Sequence, residues 1–94
     1  MVVLTCVIRL HLPGSDSLKA KRGVLKSLLA RLGREFNLAA AETGLHDVWQ
    51  SAEIALVTVS TDAVYAEGLL ARALQWIETH RPDVDVLDAQ MEAR

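Results

Sequence analysis

Residues 2–36 read VVLTCVIRLHL-PGSDS-LKAKRGVLKSLLARLGREF, and this stretch decides the fold. Its first eleven residues alternate, so that one face is wholly apolar while the other becomes polar and basic at Arg9 and His11. A proline-glycine pair then interrupts the strand. From Leu18 onward, apolar side chains recur every three or four residues, which predicts an amphipathic helix with its N-cap in the SDS segment.

The rest of the chain predicts two strands, a second helix and a last strand. Residues 37–43 form a weak, alanine-rich strand, and residues 49–60 form a strong one whose two faces are both largely apolar. The second helix begins after an N-cap among residues 60–62 and ends at about His80. Five apolar residues are expected on its inner side: Ala66, Leu69, Leu70, Ala73 and Ile77. Residues 84–91 predict the final strand, and the last few residues are expected to fray.

This order of elements, β-α-β-β-α-β, predicts a single α+β domain over residues 1–94. Each β-α-β half requires a right-handed crossover, and interleaving the two halves gives the ferredoxin-like sandwich. We expect a four-stranded antiparallel sheet with both helices on one face and the other face open. Because many unrelated functions use this fold, the fold alone does not predict one.

Positive charge is concentrated in the first third of the chain. Residues 1–34 contain seven of the ten basic residues and one acidic residue, for a net charge of +6. The other sixty residues contain three basic and eleven acidic residues, for a net charge of −8, so the total of −2 conceals the asymmetry. A basic segment of this kind indicates a binding face for an anionic partner.

The first predicted helix carries most of these cations. Lys19, Arg22 and Lys26 form one ridge beside the apolar stripe. Lys21 falls within the stripe, so its ammonium is expected to emerge at the rim. Cations are unfavourable in a first helical turn, whereas the free backbone N–H groups there favour an anion. The candidate anion-binding residues are Arg9, His11, Ser17, Lys19, Lys21, Arg22, Lys26 and Trp49.

Two structural explanations compete with this interpretation of the basic residues. Exposed lysines and arginines on a helix usually form a solvated face. In addition, Lys21 and Arg22 can pair with acids elsewhere in the fold, such as Glu42 or Glu53. The sequence alone leaves these explanations open.

Two motifs resemble the YlxP-like family of small bacterial proteins, a domain of unknown function. The segment Ser-Leu-Lys-Ala-Lys-Arg at residues 17–22 matches the family signature at the start of the first helix. The segment Asp-Val-Trp-Gln-Ser-Ala at residues 47–52 matches an aromatic-glutamine pair that enters the third strand. The likeness covers nearly the whole chain, with one departure at Asp16, where the family more often has histidine. It implies a ferredoxin-like fold, no established activity and a suspected connection with translation or ribosome maturation, which favours RNA or a ribosomal particle as partner.

The absence of aromatic residues from the first and third predicted strands excludes one mode of RNA binding. RNA-recognition motifs share the predicted topology and stack bases on aromatic side chains of the first and third strands. Residues 5–9 and 54–59 contain no aromatic residue, which excludes that mode here. Trp49, at the mouth of the third strand, is expected either to stack on a base or to cap the core. Tyr65 and Phe36 are expected at the edge of the core.

The sequence contains no catalytic constellation, and His11, His46 and His80 lack metal-ligand spacing. We therefore expect a non-enzymatic binding module without cofactor or metal. A single cysteine, with no signal or membrane-spanning segment, predicts a cytoplasmic protein. Two alternatives stay open: a dimeric module that senses a small anion or metabolite, and a protein-protein interaction domain that uses the open sheet face. A homodimer is compatible with either alternative.

Overall fold

Six elements follow one another in the predicted order. The computed structural model describes residues 1–94 and contains β1 (Val2–His11), α1 (Leu18–Glu35), β2 (Ala39–Gly44), β3 (Ser51–Ser60), α2 (Ala63–His80) and β4 (Asp85–Ala93). Both β2 and β3 begin two residues later than expected. The expectation that the C-terminus frays is wrong, because β1 offers it backbone partners. Ala93 pairs with Leu4, and the Arg94 N–H donates to the carbonyl oxygen of Val3.

The four strands form one antiparallel sheet in the order β2-β3-β1-β4. The central strand β1 pairs with β3 along its whole length, from Val2 opposite Ser60 to His11 opposite Ser51. Both helices pack on the face formed by the even-numbered residues of β1 and β3, and the other face is open. The predicted ferredoxin-like α+β fold is therefore confirmed.

One hydrophobic core lies between the sheet and the two helices. Each strand contributes alternate residues, because successive side chains of a strand point to opposite faces. The sixteen buried members are Leu4, Cys6, Ile8, Leu10, Leu12, Leu25, Leu28, Leu32, Ala52, Ile54, Leu56, Ala66, Leu70, Ala73, Ile77 and Val84. The five residues expected on the inner side of α2 are all buried, which confirms that prediction. Neither helix has the length and hydropathy needed to cross a lipid bilayer.

Trp76 closes the core where α1 and α2 meet. Its ring stacks on His80 at a centroid distance of 5.1 Å and meets Phe36 edge-on at 6.4 Å. The guanidinium of Arg31 lies over the same ring, 5.5 Å from its centroid. Phe36 is at the core edge, as expected. The same prediction for Tyr65 is wrong, because 56% of its surface is exposed in the first turn of α2.

Arg81 joins the end of α2 to α1. Its Nε and Nη2 donate to the two carboxylate oxygens of Asp83, at 3.0 and 2.8 Å. Its other N–H groups reach the Ser27 hydroxyl and the Val24 carbonyl oxygen on α1. The hydrogen bonds from Arg81 lower the pKa of Asp83 below its usual value. This loop is therefore held by an ion pair as well as by packing.

We expect Asp83→Asn to reduce stability near pH 7 and to have progressively less effect below about pH 4. A carboxyl group with a lowered pKa stabilises the fold above its unfolded pKa, and this contribution is lost as the pH falls through the folded pKa. Urea denaturation of the parent and the variant at both pH values measures the difference. An equal loss of stability at neutral and acidic pH would contradict the prediction.

Candidate functional site

Lys21 is buried, with only 1% of its surface exposed. Its Nζ donates to the carbonyl oxygen of Leu45 at 2.5 Å and lies 3.4 Å from Oε2 of Glu42. The expectation that this ammonium emerges at the rim is wrong, because the apolar stripe of α1 carries it onto β2 and the loop that follows. Pairing with Glu42, the structural alternative, is confirmed.

The same contact fixes the loop between β2 and β3. Leu45 has a φ of 58°, in the left-handed region that costs an L-residue about 1–2 kcal/mol. Its carbonyl oxygen accepts from the Lys21 ammonium and also from the Val48 N–H, at 3.1 Å. A hydrogen bond from a charged donor is stronger than a neutral one. The strained residue is therefore held in place by the helix that packs above it.

Gln50 holds the other loop at this end of the sheet, residues 12–17. Its side-chain amide donates to the Ser15 carbonyl oxygen at 3.3 Å. The backbone carbonyl oxygen of Gln50 accepts from the Leu12 N–H at 2.9 Å. Nδ1 of His11 lies 2.9 Å from the same carbonyl oxygen. The two sequence motifs are thus connected, because Gln50 belongs to one and the loop that it holds leads into the other.

Ser17 is the N-cap of α1. Its backbone is extended, and its hydroxyl oxygen accepts from the Ala20 N–H at 3.0 Å. Satisfying one of the free N–H groups in the first turn is the usual role of a serine at this position. The structure therefore places the Ser17 hydroxyl against the helix itself.

Four cations of α1 are exposed and form no ion pair. They are Lys19, Arg22, Lys26 and Arg34, which we call the basic face. The first three share one side of the helix because positions three and four residues apart are neighbours there, and Arg34 lies about a quarter turn further round. Arg31 differs, since it pairs with Glu35 at 3.4 Å and covers Trp76. Glu35 is the only acidic residue of α1, so the basic face carries uncompensated positive charge.

Arg9 and His11 point away from the helices, onto the open face of the sheet. The cross-strand neighbours of Arg9 are Glu53 on β3 and Asp88 on β4, and His11 lies opposite Asp85. Opposite charges in neighbouring strands attract each other by roughly 0.2–1 kcal/mol per pair. The sheet separates Arg9 and His11 from the basic face, so the two groups of residues do not form one surface.

Trp49 lies in the loop before β3, with 53% of its surface exposed. It does not belong to the hydrophobic core, so the alternative that it caps the core is wrong. Leu45 and Gln50, the two anchored residues of the loop, stand on either side of it along the chain. The indole is therefore presented to solvent at the end of the sheet where α1 begins.

Two shallow concavities occur on the surface, with volumes of about 250 and 210 Å³. The first is lined by residues 37–39 and 57–59, and the second by residues 39–41 with Ala55 and Val57. Both follow the β2 side of the sheet. Neither includes the loop at residues 12–17, where the small-anion alternative would require a pocket.

Comparison with known sequences places the two motifs in a family. The sequence profile described as "Protein of unknown function (DUF503)" matches residues 3–91. The chain belongs to the DUF503 family. The "Uncharacterized protein YlxP" of Bacillus subtilis (strain 168) is 38% identical over 71 residues, which are 76% of this chain and 76% of that protein. The YlxP-like resemblance is thereby confirmed, and both motifs lie inside the residues matched to DUF503.

Two residues that organise this end of the DUF503 fold were not among the predicted site residues. Leu45 carries no sequence signal, because leucine seldom adopts a positive φ and the neighbouring Gly44 is the residue that a sequence pattern would assign to such a turn. Gln50 does carry a sequence signal, because it belongs to the aromatic-glutamine pair of the motif at residues 47–52. That signal could have predicted a structural role for Gln50.

We expect Lys21→Met and Glu42→Gln each to destabilise the protein by about 1–3 kcal/mol, because the first removes the cation that faces the Glu42 carboxylate and the second removes the carboxylate that faces the buried Lys21 ammonium. The lower part of the range applies if the 22% exposure of Glu42 lets water compensate. The double variant should lose less than the two single losses together, with a coupling energy of about 1–3 kcal/mol.

Urea denaturation of the four proteins measures this coupling. Lys26→Met is the matched control, since it removes an exposed lysine of the same helix and should change stability by no more than about 0.5 kcal/mol. Strictly additive losses for the two single variants would show that the pair does not act as a unit.

Proposed function

We propose that this protein is a cytoplasmic RNA-binding module that contacts phosphates through the basic face of α1. The observation that carries the proposal is the distribution of unpaired cations. Of the ten basic residues, Lys21, Arg31, Arg81 and Arg94 form ion pairs with carboxylates. Four of the remaining six lie on the basic face. A group of like charges on one helix raises the local potential and attracts anions.

The length of the basic face favours a polymer over a small anion. From Lys19 to Arg34, α1 extends about 22 Å, at about 1.5 Å per residue. A single phosphate or carboxylate cannot reach both ends, whereas a nucleic-acid backbone can. Contacts to phosphates position a protein without reading sequence. Such contacts do not require aromatic residues on the strands.

Two further considerations favour RNA in the cytoplasm. The YlxP-like resemblance implies a connection with translation, and this connection favours RNA over other polyanions as the ligand. The lone thiol of Cys6 is free and buried, and burial raises its pKa. A single unpaired cysteine fits a reducing compartment, which is where ribosomal RNA occurs.

We expect the protein to bind a structured ribosomal RNA fragment with an affinity that falls steeply with salt. If all four cations of the basic face contact phosphates, the slope of log K against log salt is about −3. The variant Lys19→Glu, Arg22→Glu, Lys26→Glu should bind more weakly, with a slope of about −1. Fluorescence anisotropy across a salt series measures both quantities.

Arg72 supplies the matched control for this experiment, because it is an exposed, unpaired arginine on α2. Arg22→Glu and Arg72→Glu change the net charge equally and differ only in the helix on which the charge is reversed. If the basic face binds RNA, only Arg22→Glu should weaken binding and reduce the slope of log K against log salt. Equal effects would mean that net charge alone drives the interaction. A parent protein that does not bind at low salt would refute the proposal.

A second candidate function is self-association through the open face of the sheet. Val59 and Val7 are 57% and 37% exposed on that face, beside the partly buried Val3 and Val57. On the same face, Gln90 and Glu92 of β4 border this valine patch, and Arg9 with its acidic neighbours lies beyond Val7. Two copies related by a two-fold axis can cover the valine patches while these polar residues form the rim.

We expect Val59→Lys to shift the protein toward monomer in sedimentation equilibrium, because a buried lysine in the pairing surface is unfavourable. Val64→Lys is the control, since Val64 is exposed on α2 and its substitution should not change the association. If the parent is a monomer at every concentration tested, the open face does not pair two copies.

A further inference from the structure

We infer that Trp49 stacks on an unpaired base of the RNA held by the basic face, so that the protein prefers RNA in which a single-stranded base adjoins the contacted phosphates. This inference rests on the proposed function and adds a substrate class to it. It depends on three features of the loop before β3: exposure, rigidity and position.

The exposure of Trp49 is large for so apolar a side chain. More than half of its surface is in water, and its neighbour Val48 is 43% exposed. Tryptophan has the largest apolar surface of any side chain, so burying it against a ligand is strongly favourable. A planar ring displayed in this way offers a face on which any nucleobase can stack.

The loop that presents the ring is anchored on both sides. Before Trp49, the Leu45 carbonyl oxygen accepts from the buried Lys21 ammonium. After it, Gln50 donates to Ser15 and accepts from the Leu12 N–H. A preorganised loop loses little conformational entropy on binding, which makes the exposed ring an effective contact.

Trp49 lies in a loop that is hydrogen-bonded to the segment leading into α1. The adjacent Gln50 is hydrogen-bonded to Ser15, which is two residues before Ser17, the N-cap of α1. Lys19, a member of the basic face, lies in the first turn of that helix. Sites for single-stranded nucleic acid combine these two elements, a cationic track for the backbone and an aromatic platform for the bases.

Two exposed acidic residues of the loops at this end of the sheet favour a base over a phosphate there. Asp47 is two residues before Trp49 in the chain, and Asp16 follows Ser15, which accepts a hydrogen bond from Gln50; both aspartates are exposed. Carboxylates repel phosphates, but they accept hydrogen bonds from the amino groups of bases. The arrangement therefore places phosphates on α1 and the unpaired base on the loop.

The test compares two RNAs that differ only in a single-stranded extension: a blunt duplex and the same duplex with a short 3′ overhang. We expect the parent to bind the overhang RNA about tenfold more tightly, within the range that stacking of one base provides. Trp49→Ala should bind both RNAs equally and keep the salt slope of the parent. Trp49→Phe, which retains a ring, should keep most of the preference.

Tyr65 supplies the matched control, because it is as exposed as Trp49 but lies beyond the other end of β3, about 30 Å away along the strand. Tyr65→Ala should leave the preference unchanged. A second measurement removes the base rather than the ring: abasic nucleotides in the overhang should abolish the preference of the parent. This measurement holds even if a Trp49 variant fails to fold.

The outcomes separate the inference from the proposed function. If the parent binds RNA but Trp49→Ala keeps the overhang preference, or if the parent shows no preference, the stacking inference is overturned and phosphate binding stands. Equal weakening of both RNAs by Trp49→Ala also overturns it. If the parent binds neither RNA, both proposals fail, and the exposed Val48–Trp49 pair would instead fit an apolar pocket of a protein partner.

Discussion

The burial of one ammonium group constrains a whole end of this molecule. Lys21 occupies a core-facing position of α1, and a buried cation is tolerated only when it is paired and hydrogen-bonded. Its partners come from β2 and from the loop that follows β2. The helix therefore cannot dock on the sheet without also fixing the left-handed backbone of Leu45, and the presentation of Trp49 depends on that loop.

The Ser-Leu-Lys-Ala-Lys-Arg segment at residues 17–22 consequently has two roles that the helical period separates. Ser17 and Lys21 lie four residues apart and serve the fold, one as the N-cap and the other as the buried cation. Lys19 and Arg22 point to another side of the same helix and stay in water. A family signature is thus not uniformly a binding motif, and only its exposed half is available to a ligand.

The element order and the core could be predicted because both depend on periodicity within short stretches of chain. The partner of the Lys21 ammonium could not be predicted, because it depends on the register between strands that are distant in sequence. Glu42 and Glu53 are both acids in neighbouring strands, and the sequence does not distinguish them as partners. The register does: Glu42 lies opposite Ile54, on the core side, whereas Glu53 lies opposite Arg9, on the open side. Likewise, β4 extends to Ala93 only because β1 has free backbone groups beside it.

The fold places the positive charge of the first third of the chain and much of the negative charge of the rest on opposite sides of the sheet. The basic face lies on the helical side, while Glu53, Asp85 and Asp88 surround Arg9 and His11 on the open side. A polyanion that approaches is attracted to the first side and repelled from the second. RNA-recognition motifs of the same topology bind RNA on the open side, with aromatic residues that β1 and β3 lack here. Under the proposed function, charge and composition therefore both favour the helical side over the sheet face as the surface that meets RNA.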